Sequence, residues 1–491
     1  MVLSRDGLLR GSKRQEVNVQ SNRFSLRLSA LCFLWLTIDV PAITISAESV
    51  AARPNIVYIK ADDLGWTDLA CQGSQFYETP RIDRLAAQGM TFTQAYAPAA
   101  NCQPSRACCL TGQYSPRHGI YTVGTAERGN ARDRKLIPTR NRTVLADAEV
   151  TIAEVLRSAG YATCHVGKWH LGPDPKSQGF DVNIAGRQWG SPSGGGYHSP
   201  YKYPNCVQSK PGEYLTDRLG MEACRFIAAN RTQPFFLHFA TYAVHSPLQA
   251  KAELIETYQE KTGTEAHRNS VYAAMIQSLD ENVGRILDVL NELGLAENTL
   301  VLFTSDNAGD WQTSRKWPLR AGKGAYYEGG IREPLFVRWP GKIKPGSRCD
   351  VPVSGIDFFP TLLAASGVEP PAGKTLDGVN LLPLLTQTGS IPQRPLFWHF
   401  PVYLEGGNAE TRDTTFRTRP GSVVRLGDWK LHEYFEYGGL ELYKSNDDVG
   451  ETNNLAASQP DTTRKLHLLL NEWRKATNAP VPRESNPQYR P

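Results

Sequence analysis

The chain has 491 residues, 40% hydrophobic and 21% charged, with 33 prolines and 42 glycines. That composition, without low-complexity tracts or internal repeats, excludes a disordered or fibrous protein and suits one large α/β domain plus a smaller one. The formal charge of +5 falls to about +2 without the first 47 residues, so nothing argues for nucleic acid as a partner.

Arg5, Arg10, Lys13, Arg14, Arg23 and Arg27 precede an apolar run, LSALCFLWLTI at 28–38, which Asp39 and Pro41 end. The run has the length of a signal-peptide core and is too short for a membrane span. Small residues at 45–49 offer a cleavage site. Residues 1–47 are therefore expected to be a signal peptide, sending the protein to the periplasm or out of the cell without stable membrane insertion; an uncleaved membrane anchor or a disordered basic tail is the alternative reading. Export permits disulfides. Eight cysteines follow the leader, namely Cys71, Cys102, Cys108, Cys109, Cys164, Cys206, Cys224 and Cys349. None has the spacing of a zinc site, and their pairing does not follow from sequence.

Four short apolar runs end abruptly in polar residues. Strands are predicted at 56–59, ending at Asp62 and Asp63; near 161–166, ending at Lys168 and His170; at 235–239, followed by His245; and at 300–303, ending at Asp306 and Asn307. Helical patterns lie between them. The clearest carries Met275, Leu279, Val283, Ile286, Leu287, Leu290 and Leu293 at helical spacing. Alternating strands and helices predict a large, mostly parallel sheet flanked by helices over 48–390. Ligands bind such sheets beyond the carboxyl ends of the strands, so four chemically equipped strand ends point to one shared site.

A break falls at 388–397, and residues 391–491 read as a smaller C-terminal α+β domain with a short antiparallel sheet. A hairpin is predicted from strands at 422–425 and 429–434 around Gly427 and Asp428, followed by a short strand and a closing helix at 461–477.

Asp62, Asp63, Asp306 and Asn307 are hard oxygen donors that suit Ca²⁺ or Mg²⁺. Taken singly, they also read as a helix cap and a turn. Arg106, Lys168, His170, His245 and Lys323 supply charge and hydrogen-bond donors for an anion rich in oxygen, a sulfate or a phosphate. In Cys102-Gln103-Pro104-Ser105-Arg106, Pro104 suits the first turn of a helix, which places Cys102 at an anion-favouring N-terminus. Cys108 and Cys109 then fall inside that helix as small buried apolar residues.

The string CQPSRACCLTG, from Cys102 to Gly112, resembles the signature of type I sulfatases in the alkaline-phosphatase-like superfamily. NIVYIKADDLGW, GKWHLG, HSP, TSDNAG, GKGAYYEGGIREP and GDWKL follow the family order over nearly the whole chain beyond the leader. The resemblance implies that Cys102 is oxidised to Cα-formylglycine by a maturation enzyme. Hydrated, the aldehyde offers two hydroxyls: one attacks sulfur, and the other loses a proton to expel sulfate. It also implies Asp62, Asp63, Asp306, Asn307 and the residue derived from Cys102 as ligands of one Ca²⁺, with Mg²⁺ as the alternative. Arg106 would hold the hydrated aldehyde, Lys168 and Lys323 the sulfate oxygens, and His170 the geminal diol. His245 or Lys323 would protonate the leaving oxygen. Two departures from the family are Ala308, where glycine is usual, and Lys60, where a small or apolar residue is commoner.

The substrate expected from this resemblance is a sulfated carbohydrate. Residues 186–204 are rich in glycine and aromatics, and offer Trp189 and Tyr197 to stack on a sugar; an ordered surface loop is the plainer reading. His399, in FWHFPVY at 397–403, is a further candidate for sugar hydroxyls. Rival readings are a phosphate or phosphonate ester hydrolase of the same superfamily, an inactive sulfated-glycan-binding protein, and a thiol enzyme using Cys102 directly.

Overall fold

The computed structural model describes residues 53–206 and 210–490. The expected signal peptide lies outside them. Nine strands form the main sheet: β1 (Asn55–Ala61), β2 (Met90–Tyr96), β3 (Ala162–Gly167), β4 (Val182–Ile184), β5 (Phe235–Ala240), β6 (Thr299–Ser305), β7 (Arg332–Arg338), β8 (Ser347–Cys349) and β9 (Val353–Ser354). Their order is β4-β3-β5-β1-β6-β7-β2-β8, with β9 also on β2. All pairings are parallel except those of β7 with β6 and β2. The four predicted strands are β1, β3, β5 and β6, next to one another in the sheet.

These strands are continuous apolar runs because both faces are covered. In β1, Val57 and Ile59 enter one core, and Ile56 and Tyr58 the other. The Ser270–Glu292 helix sends Met275, Leu279, Val283, Ile286, Leu287 and Leu290 into the first core. Leu293, expected in that stripe, instead caps the helix and is exposed, because the helix stops one residue earlier.

The second sheet, β10-β13-β14-β15, is antiparallel, with β10 at Leu396–Phe400, β13 at Gly421–Leu426, β14 at Trp429–Tyr434 and β15 at Gly439–Lys444. Two short strands, β11 (Leu404–Glu405) and β12 (Phe416–Thr418), pair separately. The predicted hairpin is β13–β14, turning at Gly427 with a φ of 58°. The closing helix, Pro460–Ala476, packs its Leu466 and Leu470 under this sheet. The Cys102–Thr111 helix lies between the two sheets. Its Cys109 enters the large-sheet core and its Cys108 the small-sheet core. All eight described cysteines are free. No helix among the described residues is long and apolar enough to cross a membrane.

Candidate active site

The sheet brings the predicted polar residues together. β1 lies between β5 and β6, and the ladder continues past the strand ends. Asp62 N–H donates to Ala243 O at 2.9 Å, Asp306 N–H to Ala61 O at 3.1 Å, and Lys168 N–H to Ala240 O at 2.6 Å. Because β7 runs against its neighbours, it starts at this same edge, and the segment before it returns Lys323 to the site. Lys323 N–H donates to Gly309 O at 3.0 Å. Asp63 and His170 both adopt left-handed backbone, with φ of 60° and 65°. Such conformations cost energy in residues other than glycine and gather at functional sites.

The Cys102–Thr111 helix starts after Asn101, so Cys102 is its first residue. One turn later, Arg106 reaches across the site. Its Nε donates to Asp306 Oδ2 at 2.8 Å and its Nη1 to Lys168 O at 2.7 Å. Lys168 Nζ lies 2.8 Å from Asp62 Oδ1, and Lys323 Nζ 2.6 Å from Asp63 Oδ2. His245 Nε2 lies 3.6 Å from Asp63 Oδ2. Asn307 donates its amide to Asp63 Oδ1 at 2.8 Å, while Asp63 N–H donates to Asp306 Oδ1 at 3.2 Å.

Three buried carboxylates close together shift one another. Burial, with Asp306 and Asp63 nearby, raises the pKa of Asp62 against the pull of Lys168 and Arg106. Burial would also raise Asp63 and Asp306, but Lys323, His245 and Lys168 together outweigh it at Asp63, and Arg106, Lys168 and Lys323 together at Asp306, so both are lowered. Burial and then Lys168 hold His170 well below the imidazole range. His245 is lowered to about 4, by burial and by Lys168 and Lys323 against Asp63. Burial raises the Cys102 thiol.

The donor set fits a hard divalent cation. Asp62, Asp63 and His245 offer ligand atoms within 4.8 Å of one another. Asn307 Oδ1 is buried without a hydrogen-bond partner, as a ligand oxygen would be in the absence of its ion.

The candidate sugar contacts divide. Trp189 is half-buried, edge-on to Tyr203 against the large-sheet core, with the Arg187 guanidinium 5.3 Å from its ring centroid. A Cβ on neighbouring Gly190 would lie 2.6 Å from the His170 ring. Tyr197 is fully buried, and its hydroxyl donates to Tyr242 O and His245 O. Its ring has no face free for a sugar; it braces the turn that carries His245. His399 belongs to β10, bonded to Ser422 Oγ and Pro480 O among Trp473, Phe435 and Tyr121. Burial in the small sheet keeps it from substrate.

Supporting residues join the set that sequence had not singled out. The Gln103 amide donates to Thr143 O and His170 O at 2.6 and 3.0 Å, fixing the His170 segment on the signature helix. Tyr272 donates to Asp63 O and Asp68 Oδ2, and Lys316 Nζ lies 3.0 Å from Asp68. Asp68 lies two residues beyond the NIVYIKADDLGW string that holds Asp62 and Asp63, near enough to have been weighed as a third acid. Lys316, in a loop without a motif, carried no signal.

The sulfatase family model matches residues 54–368, and a model described as N-sulphoglucosamine sulphohydrolase, C-terminal, matches residues 322–476. A sulfatase of Formosa agariphila is 34% identical over 87% of this chain and 90% of its own length. Human N-acetylgalactosamine-6-sulfatase is 34% identical over 72% of this chain and 69% of its own. The crystal structure of Ps i-CgsB in complex with k-i-k-neocarrahexaose matches at a TM-score of 0.70 and 28% identity, over 86% of this chain and 92% of that one. The polar strand ends, the helix opened by Cys102 and these matches together place the chain in the sulfatase family, whose members hydrolyse sulfate esters.

Proposed function

We propose that this sulfatase releases inorganic sulfate from a sulfated carbohydrate, using formylglycine made from Cys102 and one Ca²⁺, and that it acts after export. The carrying observation is the convergence of Asp62, Asp63, Asp306 and Asn307 with Arg106, Lys168 and Lys323 at the N-terminus of the Cys102 helix. The same four oxygen donors would hold Ca²⁺, with Mg²⁺ the alternative. Bound there, the ion would supply positive charge that offsets the carboxylates and the sulfate oxygens. The hydrated aldehyde would supply two hydroxyls on one carbon, so that sulfate is expelled as the aldehyde re-forms, without a separate hydrolytic step.

The chain's own groups do the rest. Lys168 and Lys323 bind sulfate oxygens, and in doing so exchange their contacts with Asp62 and Asp63 for the ester. Arg106 fixes Asp306 and the turn at Lys168. His170, held neutral by burial, accepts a proton at its ring nitrogen; its Nδ1 has no partner in the structure. The departing alcohol oxygen takes its proton from Lys323 Nζ, which Asp63 keeps charged against burial, or from His245 Nε2 once the charge of the bound ester favours the protonated imidazole. Trp189 contributes a wall of the sugar site.

A carbohydrate substrate is supported by the relative that acts on N-acetylgalactosamine 6-sulfate by name and by the neocarrahexaose complex of the structural match. The raised pKa of the Cys102 thiol counts against its use as a thiolate nucleophile. The test is sulfate release from a panel of sulfated mono- and oligosaccharides, with the matching phosphate esters as controls. Ca²⁺-dependent release of sulfate supports the reading. Faster turnover of the phosphate esters transfers the chain to the rival hydrolase class.

A further inference from the structure

GDWKL, residues 427–431, takes no direct part in the chemistry described above, yet its lysine is completely buried. Lys430 of β14 places Nζ 3.1 Å from Glu328 Oε1 and 3.0 Å from Glu451 Oε1, with all three side chains at 0% exposure. Glu328 N–H donates to Glu451 Oε2 at 2.5 Å, and His432 Nε2 lies 3.3 Å from Glu451 Oε1. Tyr96 OH donates to Glu328 Oε2 at 2.9 Å. Burial would raise the pKa of Glu451, but Lys430 and His432 outweigh it and hold it at about 2. Buried ion clusters are often no more stable than apolar replacements, so their use calls for a reason such as fixing one arrangement.

The neighbours of Glu328 supply the reason. Glu328 opens the turn Glu328–Ile331, just after the Lys323 segment. Gly329 N–H donates to Arg320 O at 2.8 Å, and Ala308 N–H to Gly330 O at 3.4 Å. A Cβ on Gly330 would lie 1.9 Å from Ala325 O and 2.6 Å from Gly322 O; on Gly329 it would lie 2.3 Å from Arg320 O. The turn is therefore pressed against backbone on both sides of Lys323. Arg320 Nη1 also donates to Glu451 O at 2.9 Å. A shift of Glu328 or Glu451 would reach Lys323 through one layer of backbone.

We propose that Lys430, Glu451 and Glu328 form a buried ionic clamp, anchored in the small sheet, that positions Lys323 for the sulfate ester. They are positioning residues, and the proposal rests on the reading of Lys323 as a sulfate-binding group. The test is a double-mutant cycle on matured protein with 4-nitrophenyl sulfate, combining K430M or E451Q with K323A. E451Q keeps the shape of the side chain and carries the test if K430M does not fold. Each clamp variant is expected to lower kcat/KM by about 10–100-fold alone, but by less than about threefold in the K323A background, because the shared path is already broken. Equal losses in both backgrounds, or a folded clamp variant with wild-type kcat/KM, would overturn the proposal. If the wild type itself does not hydrolyse the sulfate ester, the functional reading fails separately. The clamp is then judged by amide exchange at 320–331, which must accelerate in E451Q; unchanged exchange overturns it.

Discussion

Arg106 and Asp306 meet at two contacts of 2.8 Å, one through Nε and one through Nη2, with neither side chain more than 1% exposed. They come from the signature helix and the end of β6, 200 residues apart. The pair ties the helix opened by Cys102 to the proposed metal site. Arg106→Met leaves Asp306 charged, buried and without this partner. Removing one member of a buried pair costs about 3–5 kcal/mol. Urea denaturation should show a loss of that order, together with abolished sulfate release. Wild-type stability in R106M would mean that Asp306 does not depend on this contact.

Metal binding should be visible without turnover. A cation that binds only the folded chain stabilises it by about 2.7 kcal/mol at a hundredfold excess over Kd. Ca²⁺ is therefore expected to raise Tm, and chelation to lower it. Asn307→Ala removes a neutral ligand oxygen and leaves no stranded charge, so its Ca²⁺-induced rise should be clearly smaller. An undiminished rise in N307A would remove Asn307 from the ligand set.

Gly190 faces the His170 ring, where a Cβ would approach Cε1 to 2.6 Å. Gly190→Ala should therefore displace the imidazole while sparing the metal ligands. Misplacement of a reacting group by about 1 Å costs on the order of a hundredfold in rate. The expectation is a kcat at least about tenfold lower with the Ca²⁺-dependent Tm rise intact. Unchanged kcat would show that His170 is not needed in this position.

Glu333, on β7, is buried, and burial raises its pKa to about 8 despite the nearby Lys60 ammonium and Thr304 hydroxyl. A carboxyl with a raised folded-state pKa stabilises most below its unfolded value, near 4.3, and that contribution is lost as pH rises through about 8. Glu333→Gln stays neutral throughout. Its stability relative to wild type should increase between about pH 4.5 and 8 and then level off, read by urea denaturation across that range. A pH-independent difference would mean that Glu333 is ionised throughout beside Lys60.

The strands that carry the site were legible because they are central. β1, β3, β5 and β6 are buried on both faces, so each reads as an apolar run with a polar end. β7 was not, since Pro334 interrupts it; there the ladder to β6 ends at Leu335, and β2 shifts register between Phe92 and Ala95. β10 was missed as a strand. An apolar segment with a histidine gives no sign of whether it lines a pocket or a sheet interior, which is why His399 was expected at substrate. Tyr197 failed for the same reason, since an aromatic in a glycine-rich loop reads alike whether exposed or buried. Lys430 and Glu328 each stand in a quoted family string, GDWKL and GKGAYYEGGIREP, but nothing in either string pairs residues 102 positions apart, and Glu451, 21 residues beyond Lys430, stands in none.

The most direct test is the mass of the peptide containing Cys102, after secretion from a host that matures a control sulfatase. The account predicts the mass of the aldehyde, formylglycine, at position 102. An unmodified thiol there, in protein that still releases sulfate, would contradict it and make Cys102 itself the reacting group.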